Sequence, residues 1–169
     1  MVEPSHHLWR SKMIRNENMK TKLLTLILIT IPFISLFSQS NEELDRFLGQ
    51  EYADLKTTVW LVYISSGELP LEAVADEAME SLLASEHARR FVKIPENSPI
   101  KYGEFALLMM DLYDLPGGLM YHIIPSPRYA AREFTSRRWM PGNPEPGSFL
   151  TPWEVTSALS QVLAWKEVQ

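Results

Sequence analysis

The stretch that decides the fold spans residues 127–165 and reads PRYAAREFTSRRWMPGNPEPGSFLTPWEVTSALSQVLAW. Its first part predicts a helix from Arg128 to Arg138, and a turn rich in proline and glycine follows. A second helix begins at Thr151-Pro152-Trp153-Glu154. Its apolar face consists of Val155, Ala158, Leu159, Val162 and Leu163. Such a unit of helix, turn and helix buries its apolar faces against neighbouring helices.

The start of this second helix is explained by local capping. Thr151 at the N-cap accepts a hydrogen bond from a backbone N–H of the first turn, and Glu154 reaches back to the N-cap backbone. Pro152 at the first helical position loses only an N–H that would have no intrahelical partner. The motif therefore indicates a structural role.

Apolar spacing predicts four helices upstream. They are a short helix through Leu44, Phe47 and Leu48 that follows the capping-box sequence Ser40-Asn41-Glu42-Glu43, a helix within Tyr52–Ser66, a third from about Leu71 to Glu86, and a fourth marked by Phe105, Leu108, Met109 and Leu112. Residues His87–Pro99 indicate a loop because they contain Pro95, Asn97, Ser98 and Pro99. Leu119–Pro127 is apolar and is predicted to be irregular, a brief strand or an extended crossing.

The helices follow a repeated plan that predicts an all-α fold, a compact domain of about three repeated helix pairs. The predicted single domain spans residues 41–169. It divides into a partial repeat at 41–70, a repeat at 71–116, a short irregular or extended insertion at 117–127 and a repeat at 128–166. A module of this kind is typical of binding or scaffolding.

The first forty residues indicate export. Residues 1–18 indicate a mis-called start or a disordered extension, and residues 19–40 have the layout of a cleavable secretory signal. Its apolar run, Leu23–Phe37, is shorter than the roughly 20 residues that a bilayer core needs. We therefore expect an exported protein of the periplasm or cell envelope, with no integral membrane segment after cleavage.

Charge and cysteine content narrow the range of possible functions. Residues 41–169 carry 11 basic and 19 acidic side chains, a formal charge of −8. Nucleic-acid binding depends on Lys and Arg that neutralise phosphates, so no nucleic acid is expected as a partner. The chain contains no cysteine, which excludes disulfides and cysteine-ligated zinc.

One basic segment is the first candidate for a binding site. Arg128, Arg132, Arg137 and Arg138 lie on an otherwise acidic chain, with Tyr129 and Trp139 beside them. Guanidinium groups bind carboxylates in a bidentate way, and aromatic rings stack on apolar faces. The segment therefore indicates either a site for an anionic saccharide or a partner's carboxylates, or a solvated helix face whose arginines pair with nearby Asp and Glu.

Three more residues are weaker candidates for ligand contact. Glu104 holds the same place in its helix as Glu154, but Lys101 is a poor cap, so Glu104 could contact a partner. Gly117 and Gly118 are predicted to supply positive φ in a turn, or to allow close approach of a ligand.

The inventory for catalysis is thin, and the sequence predicts a non-enzymatic protein that needs no cofactor and no metal. His87 and His122 are the only histidines after residue 40, and neither has a metal-ligand spacing. We expect each to be a surface or capping residue. Asp111 and Asp114 share a helical face without a recognisable role.

The last repeat resembles the S-layer homology module. The matching segments are Tyr129-Ala130-Ala131-Arg132-Glu133-Phe134, Trp139-Met140-Pro141-Gly142, Glu145-Pro146-Gly147-Ser148-Phe149 and Leu150-Thr151-Pro152-Trp153-Glu154. The resemblance implies a triplicated helical fold that attaches an exported protein to cell-wall polysaccharide. Pro152 stands where that family has a ligand-contacting Arg, so the fold carries over better than the sugar specificity.

Two functions follow as hypotheses. The first is adhesion to a cell-wall or surface polymer through a groove lined by Arg128, Tyr129, Arg132 and Trp139. The second is a protein-interaction module in a periplasmic or outer-membrane assembly, which would show an exposed apolar patch near Leu119, Met120 and Tyr121.

Overall fold

The structure is a computed structural model, and it describes residues 42–169. The predicted signal sequence and Ser40 of the predicted capping box lie outside the described residues. Residues 42–169 form one compact unit, and within it the chain forms eight helices and no strand. The helices are α1 at residues 42–48, α2 at Leu55–Ser66, α3 at Ala75–Ala84, α4 at Ala88–Phe91, α5 at Tyr102–Leu112, α6 at Leu119–Ile123, α7 at Pro127–Ser136 and α8 at Pro152–Glu167.

The predicted all-α compact domain is confirmed. Two expectations about loops are wrong: the predicted loop His87–Pro99 contains α4, and the predicted irregular segment at 117–127 contains α6. Both helices are only four or five residues long. Each is held by one buried aromatic side chain, Phe91 in α4 and Tyr121 in α6, and so short a helix has no apolar period to detect.

The core forms between pairs of packed helices, and these are helices that the apolar spacing predicts. Helix α2 packs on α3, and α5 packs on α7. Between α5 and α7, the rings of Phe105 and Phe134 meet edge to face with centroids 6.1 Å apart, and both side chains are fully buried. Burial of such aromatic side chains dominates the energy of a core of this size.

A closed ring of three main-chain hydrogen bonds ties three helix starts together. The Ala53 N–H donates to the Leu150 carbonyl at 2.7 Å, and the Ile100 N–H donates to the Ala53 carbonyl at 2.8 Å. The Leu150 N–H closes the ring on the Ile100 carbonyl at 3.1 Å. All three residues are fully buried, and each immediately precedes the N-cap of α2, α5 or α8. The ring joins the starts of α2, α5 and α8. The repeat boundaries along the sequence stay predictions.

Capping defines where these three helices begin. The carboxylate of Asp54 accepts from the Thr57 N–H at 2.8 Å. The carboxylates of Glu104 and Glu154 accept from the N-cap N–H groups of their own helices at 2.9 and 2.8 Å. The Thr151 hydroxyl accepts from the Glu154 N–H at 3.3 Å, so the capping box predicted for α8 is confirmed.

None of the helices in the described part of the chain combines the length and the apolar character that a membrane crossing requires.

Candidate functional site

A groove of about 640 Å³ lies between α7, the start of α5 and the segment 143–146. We call it the α7 groove. Its lining residues are Tyr102, Arg128, Tyr129, Ala131, Arg132, Thr135, Ser136, Asn143, Pro144, Glu145 and Pro146. The groove brings together three of the residues predicted for ligand binding, Arg128, Tyr129 and Arg132.

The sequence of α7 explains why these side chains share a face. Pro127 occupies the first helical position, which suits its fixed φ. Arg128 and Arg132 are four residues apart and lie on one side of the helix. Ala130 and Phe134 are buried on the core side, so the packing of α7 directs both arginines outward.

The opposite wall is held by a hydrogen bond to the start of α5. The Gly103 N–H donates to the Pro146 carbonyl at 2.9 Å. A Cβ added at Gly103 would lie 2.9 Å from Pro127 Cβ and 3.0 Å from the Pro146 carbonyl oxygen. Glycine at 103 therefore lets α5, α7 and the loop approach closely enough to form the groove. Gly142, just before the segment 143–146, has a φ of 72°, a conformation that other residues rarely adopt.

Tyr102 lies where α5 meets α7. Its side chain is fully buried, and its hydroxyl donates to the Ala131 carbonyl at 2.9 Å. The same hydroxyl is 3.1 Å from the Thr135 hydroxyl. Burial raises the pKa of Tyr102, and the contact with Thr135 opposes that rise in part. Tyr102 is thus a neutral, fixed support for the groove.

The arginines of the groove have no acidic partner in the described part of the chain. The ion pairs found there involve Arg46, Lys56, His87 and Arg90 but neither Arg128 nor Arg132. Both arginines are exposed, and Glu145 is the one acidic residue among those lining the groove. Within residues 42–169, Arg128 and Arg132 are therefore not paired with nearby Asp or Glu, as the second alternative expected.

Trp139 does not line the groove, so its predicted place there is wrong. It is only 3% exposed, and its ring packs edge to face against Phe134 at 5.3 Å and Trp165 at 5.1 Å. The Arg137 guanidinium lies 5.1 Å above the Trp139 ring centre. A large apolar ring adds more stability in the core than on the surface, and Arg137 covers this aromatic cluster.

Gly117 and Gly118 also differ from expectation, because neither has a positive φ; in the described part of the chain, the glycines that do are Gly67 and Gly142. A Cβ at Gly117 would lie 2.5 Å from the Tyr121 ring, and one at Gly118 would lie 2.6 Å from a Glu133 carboxylate oxygen. Their small size makes room for side chains, and neither lines the groove.

Glu104 is outside the groove as well. Its carboxylate accepts a hydrogen bond from the Lys101 N–H at 2.9 Å. Lys101 has no side-chain acceptor for the return bond, so Glu104 supplies one half of a capping box. This hydrogen bond gives Glu104 a structural role that requires no binding partner.

The sequence analysis missed a partly buried network around the Asp111 carboxylate. Asp111 is 9% exposed, and one of its oxygens contacts both Arg90 and His87, the latter at 3.1 Å. The Tyr121 hydroxyl donates to its other oxygen at 2.8 Å. Burial raises the pKa of Tyr121, the hydrogen bond to Asp111 and the charge of that carboxylate raise it further, and Arg90 opposes the rise. No sequence signal predicts it, since α4 and α6, which bring these partners to Asp111, are too short to predict.

Within residues 42–169 no group of three or more His, Cys, Asp or Glu side chains is arranged to hold a metal ion. Comparison of the chain with protein-family models, with curated proteins and with solved structures finds no match. The resemblance to the S-layer homology module therefore stays a prediction from the residues that carry it.

Proposed function

We propose that this protein is a non-catalytic, exported protein of the cell envelope that attaches to an anionic cell-wall or surface polysaccharide through the α7 groove. The observation that carries the proposal is the pair of exposed arginines, Arg128 and Arg132, which face a groove of about 640 Å³ without an ion-pair partner among the described residues. Unpaired guanidinium groups one helical turn apart suit carboxylates or phosphates on a polymer.

The remaining lining of the groove fits a saccharide. Tyr129 is half-buried, so part of its ring is available to stack on the apolar face of a sugar. Asn143 and Ser136 add an amide and a hydroxyl, which both donate and accept hydrogen bonds. The formal charge of −8 over residues 41–169 repels every anion, including the polymer, from most of the surface, so binding depends on this local basic site.

Binding to purified envelope polymer tests the proposal. We expect wild-type protein to be retained on deproteinised polymer and the double variant R128A/R132A to lose at least tenfold in affinity, about 1.4 kcal/mol. R89A/R138A is the matched control, because it removes the same charge from two exposed arginines outside the groove. Equal binding by all three proteins contradicts the proposal.

A second candidate function is a protein-interaction module, which the surface of α6 favours. Leu119, Met120, Ile123 and Ile124 are exposed by 75, 43, 61 and 53%. We call these four residues the α6 patch. Leu119, Met120 and Ile123 fall on one side of α6, and Ile124 follows directly at its C-cap. Tyr121 lies on the opposite side of the helix and is buried. Grouped exposed aliphatic side chains are typical of surfaces that bind another protein.

The two functions predict different binding partners. A protein-interaction module is retained by an envelope fraction only while its membrane proteins are present, and L119S/I123S abolishes that retention. Adhesion to polymer survives protein removal and is unaffected by L119S/I123S. Because both side chains are exposed, these substitutions should change stability by no more than about 0.5 kcal/mol.

A further inference from the structure

The α7 groove carries charges of both signs on its two walls. Arg128 and Arg132 lie on α7, and Glu145 lies on the segment 143–146. All three side chains are exposed, and no ion pair joins Glu145 to either arginine in the described part of the chain. The carboxylate and the guanidinium groups therefore do not neutralise one another, and each can bind a group of opposite charge on a ligand.

The backbone around Glu145 is fixed in place. Proline precedes and follows Glu145, so its neighbours have a fixed φ and Glu145 itself is confined to extended conformations. Its carbonyl accepts from the Ser148 N–H at 2.9 Å, and the Ser148 carbonyl accepts from the Tyr102 N–H at 2.9 Å. These bonds join the turn to the start of α5. The carboxylate thus extends from a rigid backbone, which reduces the entropy lost when a ligand binds.

The groove has room for a sugar unit between its walls. Its volume of about 640 Å³ lies within the range of about 300–1,000 Å³ that is usual for small-molecule sites. A unit that fills this space meets guanidinium groups on one side and a carboxylate on the other.

The charge of the protein gives a second, independent argument. The formal charge of −8 over residues 41–169 opposes the approach of a unit that carries only an anion. A unit that carries a positive group beside its anion has no net charge. Such a unit reaches the groove without this repulsion.

We propose that the α7 groove selects a zwitterionic sugar unit, whose anionic group binds Arg128 and Arg132 and whose protonated amine binds Glu145. The inference rests on the proposed polymer-binding function and narrows its ligand. A protonated amine brings a positive charge and three N–H donors to a carboxylate, whereas an acetylated amine brings one N–H and no charge. Acetylation of the amine therefore weakens the contact with Glu145 and leaves the contact with the arginines.

Two matched pairs of sugars test the proposal in NMR titrations of the 15N-labelled protein. Glucosamine 6-phosphate and muramic acid each carry a free amine together with a phosphate or a carboxylate. Their N-acetyl forms keep the anion and lack the positive charge. In slightly acidic buffer, where the free amines are protonated, we expect the wild type to bind at least one free amine about threefold more tightly than its N-acetyl form, as for an ion pair that stays open to solvent.

Glu145→Gln separates the contact with the amine from the contact with the anion. It removes the charge of the carboxylate and keeps the backbone hydrogen bond to Ser148. We expect this variant to lose the preference for the free amine. It should bind the N-acetyl sugars at least as tightly as the wild type does, because a negative charge near their anion is gone. Glu80→Gln on α3 is the matched control, since Glu80 is exposed and lies outside the groove, and it should keep the preference.

The outcomes distinguish this inference from the proposed function. Equal binding of the free and N-acetylated sugars by the wild type overturns the inference, and so does a preference that persists in Glu145→Gln. Absence of binding by all four sugars at millimolar concentration overturns it as well. In each of these cases, loss of polymer binding in R128A/R132A would still support the proposed function, whereas equal polymer binding by that variant and the wild type would contradict it.

Discussion

Three arginines show how neighbours decide the role of a side chain. Arg128 faces the α7 groove and has no ion pair in the described part of the chain. Arg137 instead covers the rings of Trp139 and Trp165 at 5.1 and 6.0 Å. Arg90 pairs with the partly buried carboxylate of Asp111. Of these three arginines, Arg128 is the one to which we assign the proposed anion.

Thr151 gives the simplest test at this scale. Thr151→Ala removes the hydroxyl that accepts from the Glu154 N–H at 3.3 Å and should lower the free energy of unfolding by about 1 kcal/mol. Urea denaturation measures the change. Thr156→Ala is the control, because its hydroxyl bonds only to carbonyls of its own helix and alanine favours helix. Equal stability of wild type and Thr151→Ala would rule out the capping role.

Trp139 tests the distinction between core and groove. Trp139→Ala should lower the free energy of unfolding by about 3–5 kcal/mol, because the side chain is buried between two aromatic rings. Trp139→Phe should be milder and, if folded, should bind envelope polymer like the wild type. A large loss of binding in a fully folded Trp139→Phe protein would show that Trp139 contributes to the binding site.

At the scale of helices, α5 and α7 build the groove through their close approach at Gly103. Gly103→Ala places a methyl group within about 3 Å of Pro127 and Pro146. We expect the free energy of unfolding to fall by about 1–3 kcal/mol, with weaker polymer binding because the 143–146 wall moves. The control is Gly147→Ala, since a Cβ there meets no atom within 4 Å. Chemical denaturation and polymer binding measure both effects, and an unchanged Gly103→Ala protein would contradict this role.

Sequence reasoning succeeds for helices with a long apolar face and fails for short ones. The apolar positions predicted for α8, such as Val155 and Val162, are buried, because a helix of 16 residues repeats its pattern several times. Helices α4 and α6 are too short to repeat any apolar pattern.

The four-residue spacing of Arg128 and Arg132 indicates that they share one face of α7. Tyr102 and the opposite wall at 143–146 could not be assigned to the site, because they reach it through tertiary packing.

At the scale of the whole molecule, the ring formed by Ala53, Ile100 and Leu150 fixes the starts of three helices about one centre. The apolar faces of these helices then enclose a common core. Four of the tyrosines in that core, Tyr63, Tyr102, Tyr113 and Tyr121, have a raised pKa, and burial is the main cause for each. The fold as a whole thus keeps these hydroxyls protonated.

The raised pKa values predict how stability depends on pH. In the unfolded chain these tyrosines ionise near their ordinary pKa of about 10, whereas in the folded protein they stay neutral to higher pH. The unfolded state then binds fewer protons than the folded state, so stability is intact below pH about 10 and falls as pH rises through the folded pKa values. Denaturation midpoints measured from neutral to alkaline pH should show this fall.

Tyr113→Phe should make the alkaline loss of stability shallower, because it removes one of the four titrating groups. Tyr52→Phe is the control, since 42% of that side chain is exposed. A stability that stays constant well above pH about 10 would show that these hydroxyls are not protected by burial.

The central claim is that Arg128 and Arg132 hold an anionic polymer in the α7 groove. NMR of the arginine Nε–Hε groups during titration with deproteinised envelope polymer tests it most directly. The account predicts that the signals of Arg128 and Arg132 shift together, while those of Arg90 and Arg137, which are held by Asp111 and the tryptophan rings, stay in place. Unchanged signals from Arg128 and Arg132, with shifts centred instead on residues 119–124, would contradict it.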